Sequence, residues 1–223
     1  MQLRLHTRHA LLALAATASF GALGAAPQPD ARALRTGWEQ ANFAAAGKAQ
    51  DKAILDLVKQ CDEVLPASGD DGEILTWCGI INASYAGHAG PFSAMGYARA
   101  ARSDLEQALQ LAPGSFTAAA HTSLGTLYYK VPGWPVGFGD KDRARAELEA
   151  GLAGNPKDID ANFFMGDFLL QQRDYEAARR YLNLAASAAD RPGREVADAG
   201  RRREIGERLA LIDQHSAGKG DRE

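Results

Sequence analysis

At 223 residues, with 46% hydrophobic and 24% charged residues, the chain has enough apolar material to bury a core in one domain or one compact repeat array. A formal charge of −3 speaks against a protein that tracks nucleic-acid phosphates. Long alternating Val/Ile/Thr runs are missing, while Ala and Leu abound alongside 23 Gly and only 9 Pro, so the fold class expected is all-α.

The first element is a targeting signal. Arg4 and Arg8 precede an apolar stretch from Ala10 to Ala18 with Phe20 and Leu23, and small residues follow through Ala25 and Ala26. This is the layout of a secretory signal peptide over residues 1–26. The stretch is short and Ala-rich for a span of about 20 residues, and no Cys stands near its end for lipid attachment. The expected product is exported without a stable membrane anchor. Its Ala/Arg/Gly-rich composition points to a bacterial periplasm. Losing residues 1–26 removes two Arg and no acid, which moves the formal charge from −3 to −5.

From there the chain repeats itself. Ala53 and Leu57 open a series continued by Ala101, Leu105, Ala108 and Pro113, by Ala144, Leu148 and Pro156, and by Ala178, Leu182 and Ala185. Ahead of these run Leu75, Cys78 and Gly79; His121, Leu124, Gly125 and Tyr128; and Asn162, Met165, Gly166 and Leu169. A mid-helix Gly costs about 1 kcal/mol relative to Ala. Its recurrence calls for close approach of the partner helix at the small residue, with the Leu four positions on extending the same stripe. Pro then stops the second helix. The best-formed copy is Ile159–Ala189, turning at Arg173-Asp174. The copy around Trp38 to Leu65 is the least regular, with no Gly in the expected place.

His-x2-Leu-Gly-x2-Tyr at His121–Tyr128, followed by Ala-x3-Leu and Asn-Pro within Ala144–Pro156, resembles the tetratricopeptide repeat. The resemblance implies an α-solenoid of about four antiparallel helix hairpins within residues 27–215. The helix at 194–214 would act as its C-terminal cap, with Arg201, Arg202, Arg203, Glu204, Glu207 and Arg208 mostly facing solvent, and residues 216–223 as a disordered polar tail. The spacing departs from the family's. Ala144 to Ala178 is 34 residues, but Ala101 to Ala144 is 43 and Ala53 to Ala101 is 48. The excess is read as two long loops, Gly87–Tyr97 and Val131–Asp140, side by side on one edge of the solenoid.

Chemistry is not evident. There is no HExxH, CxxC, GxSxG, phosphate loop or dinucleotide fingerprint, so no catalytic residue, metal site or cofactor is expected. Asp70-Asp71 in a GDDG turn suit helix capping, and Asn82-Ala83-Ser84 matches a glycosylation pattern only by chance. Cys61 and Cys78 are either a disulfide or two buried thiols. Two binding surfaces remain. The repeat resemblance implies a concave groove with Thr76, Ile80, Thr122, Thr126, Tyr129, Phe163, Asp167 and Leu170. The Lys and Asn with which some family members clamp a peptide carboxylate are missing from that set. The loop edge offers Phe92, Met95, Tyr97, Trp134, Pro135 and Phe138, which either bind or fold back over the hairpin tips. The function expected is a scaffold for a protein or peptide partner. A looser similarity of Gly133–Ala144 and Gly166–Leu170 to the T-component proteins of TRAP-type transporters implies instead a small, partly apolar ligand. The missing lipid-attachment Cys departs from that pattern.

Overall fold

A computed structural model describes residues 29–220 apart from residue 112; the expected signal peptide and the last three residues of the tail lie outside the described residues. Nine helices follow one another among the described residues: α1 Ala31–Phe43, α2 Gly47–Ser68, α3 Gly72–His88, α4 Pro91–Gln110, α5 Thr117–Lys130, α6 Lys141–Gly154, α7 Ile159–Gln171, α8 Tyr175–Ala186 and α9 Glu195–Gly220. The first eight form four hairpins, and the stacked array is all-α. No described helix is long and apolar enough to cross a membrane.

The hairpins close where the Gly–Ala–Leu pattern places them. A Cβ on Gly79 would lie 2.6 Å from Leu105 Cγ, one on Gly125 would lie 2.8 Å from Leu148 Cγ, and one on Gly166 would lie 2.8 Å from Leu182 Cγ. Each Gly thus admits the Leu of its partner helix, and Ala101, Ala144 and Ala178 bring their backbone carbonyls to the same contacts. The first hairpin obeys the same rule, contrary to the sequence reading: Gly37 in α1 meets Leu57, 2.8 Å from its Cδ2 to a Cβ built there. The Gly was overlooked because it follows Thr36, without the apolar residue (Cys78, Leu124 or Met165) that precedes it in the later copies.

Asp side chains start most of the helices. Asp30, Asp71, Asp140, Asp158 and Asp174 each accept a backbone N–H from the first turn that follows. Arg173, at φ 63°, makes the tight reversal between α7 and α8. Two packed clusters form the core, one over α1–α3 around Leu34, Ile54 and Ile81, the other running from α4 to α9 around Leu124, Tyr128 and Phe168. Cys61 of α2 and Cys78 of α3 are bonded inside the first cluster, with Cα atoms 5.5 Å apart and neither side chain exposed.

The expected loop at 87–97 is instead mostly helix. Pro91 sits in the first turn of α4, where its missing N–H is no loss, and Ala89-Gly90 alone link α3 to α4. The 48-residue period therefore comes from long helices: α2, α3 and α4 have 22, 17 and 20 residues. Only 131–140 is a true extended loop. The two segments are neighbours nonetheless, since the Met95 methyl lies 2.9 Å from a Cβ built on Gly137. At the other end α9 runs on to Gly220, so residues 216–220 continue the helix.

Candidate functional site

The site begins with α7. Asp158 caps it by accepting the Ala161 N–H at 2.8 Å, which fixes the first turn and sends Asp160 and Asp167 out along one face, seven residues and about two turns apart. Asp160 collects three guanidinium groups. Arg201 Nε donates to it at 2.7 Å, Arg191 Nη1 at 2.7 Å, and Arg194 lies at 3.8 Å. Burial opposes ionisation of Asp160, but the charges of Arg201, Arg191 and Arg194 outweigh it and hold the carboxyl well below the usual range. Burial pushes its neighbour Asp158 the other way, with the Asp160 charge adding to the effect. Two turns on, Asp167 accepts from Lys130 at 2.6 Å, Arg208 at 2.7 Å and the Tyr129 hydroxyl at 2.8 Å. These donors overcome its burial and lower its pKa. Burial and then the Asp167 charge push the Tyr129 phenol well above its ordinary value.

Four of these cations come from α9 or the turn before it, and they overturn the expectation that the Arg-rich stretch faces solvent. Arg201 is 4% exposed and lies over the rings of Phe163 and Phe164, 4.4 and 4.6 Å from their centroids. Arg208 is partly buried on Asp167, while Arg203 and Glu207 do face out. Ala197, Ile205 and Ile212 bury the apolar stripe of α9. The same helix reaches the other end of the solenoid. Arg194 Nε donates to Glu39 of α1 at 2.6 Å, and the Phe43 ring lies so close to Gly200 that a Cβ there would overlap it. α9 thus joins the last hairpin to the first and walls the concave face.

Between that wall and the first helices of the hairpins is a cavity of about 720 Å³. Of the groove residues expected, Thr76, Ile80, Thr122, Thr126, Phe163 and Asp167 line it. Tyr129 does not, and reaches the cavity only through Asp167; Leu170 packs against the core. The Thr76 and Thr122 hydroxyls are turned back on the carbonyls of Gly72 and Ala118. Sequence reasoning missed Trp38, Trp77, Phe164, Arg35 and the α9 arginines, all of which line it or hold the wall. Trp77 was legible, one turn before Ile80 and next to Thr76 on a face already assigned to the groove. Lys130 is present too, but engaged by Asp167.

The loop-edge residues divide. Phe138 folds back edge-on to Tyr128 and Tyr97 edge-on to Tyr85, with ring centroids 5.9 and 4.7 Å apart, and Met95 is partly buried. Phe92, Trp134 and Pro135 are exposed, Trp134 at 89%. None of the six lines the cavity. Among the described residues no group of three or more His, Cys, Asp or Glu side chains is placed to hold a metal ion.

Residues 136–199 match the family model of the tetratricopeptide repeat. That stretch carries a tetratricopeptide repeat. The match covers the end of the long loop, the third hairpin's second helix, the whole fourth hairpin and the first turn of α9. No curated protein matches the chain. In tetratricopeptide-repeat terms α7 is the first helix of its hairpin, and Asp160, Phe163 and Asp167 stand on its concave side.

Proposed function

We propose that this protein is an exported, non-catalytic scaffold whose concave groove holds a segment of a partner protein. One observation carries the reading: residues from α1, α3, α5 and α7 line a single continuous depression, with mixed aromatic and hydroxyl side chains suited to peptide contacts. Ser123 and Thr126 lie on its α5 face. The test is recovery of partners from periplasmic extract of the source cells, using three forms of the mature chain. Ser123→Trp, which fills the groove, is expected to lose a partner that wild type and Trp134→Ala both retain. If Trp134→Ala loses the partner and Ser123→Trp keeps it, the exposed edge is the binding surface and the groove reading fails. Export is tested separately by fusing residues 1–30 to alkaline phosphatase, whose activity requires an oxidising compartment.

The wall made by α9 favours a second reading. Closure from α7 to α1 turns an open groove into a cavity whose volume falls within the roughly 300–1,000 Å³ usual for small-molecule sites. A small, partly apolar ligand held there agrees with the looser similarity to transporter T-components. Soaking or co-purification followed by native mass spectrometry separates the two readings, since a retained small molecule leaves a discrete mass increment and a peptide partner does not require one.

A further inference from the structure

Charge around the cavity is unevenly settled. Lys130, Arg191, Arg194, Arg201 and Arg208 each have a carboxylate oxygen at 2.6 or 2.7 Å. Arg35 of α1 lines the same cavity and has none. Its closest carboxylate oxygen is Glu39 Oε1 at 3.9 Å, beyond hydrogen-bond reach, and that oxygen already accepts from Arg194 at 2.6 Å. Arg35 Nε is shielded from solvent with no acceptor. Buried donors in folded proteins are satisfied almost without exception, so an orphaned guanidinium N–H on a cavity wall marks a place where an acceptor belongs. Arg32, one turn earlier on α1, lines the cavity as well and has no ion pair among the described residues. The acid facing them from α3 is Glu73, which accepts the Ser115 hydroxyl.

Between the hydroxyl and charged residues, four aromatic rings give the cavity flat apolar faces. Trp77 stands 5.8 Å from Trp38 between ring centroids, and Phe163 and Phe164 are paired at 5.1 Å across from them on α7. A guanidinium with an open fork recognises a planar carboxylate in two-point fashion. Aromatic walls take a flat ring.

We infer that the cavity binds a small organic anion, a carboxylate carried on a flat apolar body, with Arg35 holding the carboxylate, Arg32 supporting it and the Trp77 and Phe164 rings enclosing the body. The assignment rests on the small-ligand reading and adds to it the charge of the ligand and the residue that selects it. It differs from a Lys/Asn carboxylate clamp in both residue type and position, because the selecting group is an arginine on the first helix of the array, while Lys130, Arg191, Arg194, Arg201 and Arg208 are each held by a carboxylate of the protein.

Calorimetric titration of the mature protein with 2-naphthoate and with its neutral isostere 2-naphthamide tests this. Wild type is expected to bind 2-naphthoate at least tenfold more tightly than 2-naphthamide. Arg35→Gln is expected to lose about tenfold for 2-naphthoate while leaving 2-naphthamide within twofold, and Arg35→Lys to recover part of the loss. Equal wild-type affinities for the two probes overturn the anion assignment and leave the cavity reading standing. Binding of neither probe overturns both. An Arg35→Gln protein that weakens both probes alike removes Arg35 as the selecting residue, and the wild-type comparison does not depend on that variant folding.

Discussion

Replacing Asp160 with Asn keeps the side chain's shape and removes the charge that gathers α9 onto α7. Three arginines would then face a neutral amide: Arg201, itself 4% exposed and stacked on Phe163 and Phe164, with Arg191 and Arg194 beside it. Breaking a buried ion pair from one side costs about 3–5 kcal/mol, because the surviving charge stays buried. The Asp160 side chain retains 24% exposure and Arg201 keeps Glu204 at 2.5 Å, so the lower end, about 3 kcal/mol, is expected. The folded-state pKa of Asp160 lies below its unfolded value, so this stabilisation is fully present above about pH 4 and is lost as pH falls toward the folded value. Urea denaturation at pH 7 and at pH 3, on wild type and Asp160→Asn, reads both parts. The variant should be less stable by about 3 kcal/mol at pH 7, with the gap narrowing at pH 3. Limited proteolysis should cut the variant faster between α8 and α9. A gap below 1 kcal/mol at pH 7, or one that widens in acid, would refute the reasoning.

Three further measurements probe the packing. Gly166→Ala should destabilise by about 1–2 kcal/mol, the crowding of Leu182 exceeding the gain in helix propensity, whereas Gly206→Ala on α9, with nothing within 4 Å, should stabilise by up to about 1 kcal/mol; chemical denaturation that gives both the same sign rejects the close-approach argument. Burial raises the Asp104 pKa to about 6, against the Asn82 hydrogen bond at 3.3 Å and with a contribution from Asp62. The folded state therefore holds this proton more tightly than the unfolded chain, and stability falls as pH rises from about 4 through 6. Asp104→Asn should accordingly gain about 1–2 kcal/mol over wild type at pH 7 and nothing at pH 4, the figure being reduced for the partial exposure of the site. Reducing the Cys61–Cys78 bond, whose partners are 17 residues apart, should lower stability by about 3 kcal/mol in the chain-entropy picture; two titratable thiols in unfolded, unreduced protein would contradict the bond.

The hairpins were readable because their signal is local and costly. Glycines at 79, 125 and 166 would weaken isolated helices, so each demanded a partner, and the Ala and Leu that answer it lie within the next helix at fixed spacing. The extra length before Ala101 was misread for an equally physical reason. Gly87, Gly90 and Gly96 suggest a loop, but no neighbouring atom lies within 4 Å of a Cβ at any of them, and Pro91 is as compatible with a helix start as with a turn. The cavity residues were half legible. The resemblance to the repeat family marked one face of α3, α5 and α7, whereas nothing local tells that Arg201 turns inward and Arg203 outward on a helix that mixes acids and bases.

That choice of face follows from a register visible only in three dimensions. Arg201 pairs with Asp160 and Arg208 with Asp167, both across 41 residues, so α7 and α9 run parallel with constant offset. The regular repeat of 34 residues would set Arg201 opposite Asp167; the observed offset of 41 is seven residues longer, about two helical turns, and shifts the whole ladder. Arg194, one heptad before Arg201, then falls beyond the start of α7 and is carried to Glu39 of α1. A slip of one turn in either direction would take Arg201, Arg208 and Arg194 from Asp160, Asp167 and Glu39 at once, leaving Asp167 only Lys130 and Tyr129. The ion pairs therefore specify where α9 stops along the groove more than they add stability. By bringing Arg194 to Glu39 they take the one acid that would otherwise satisfy Arg35, so the same register that closes the cavity leaves its selecting cation open.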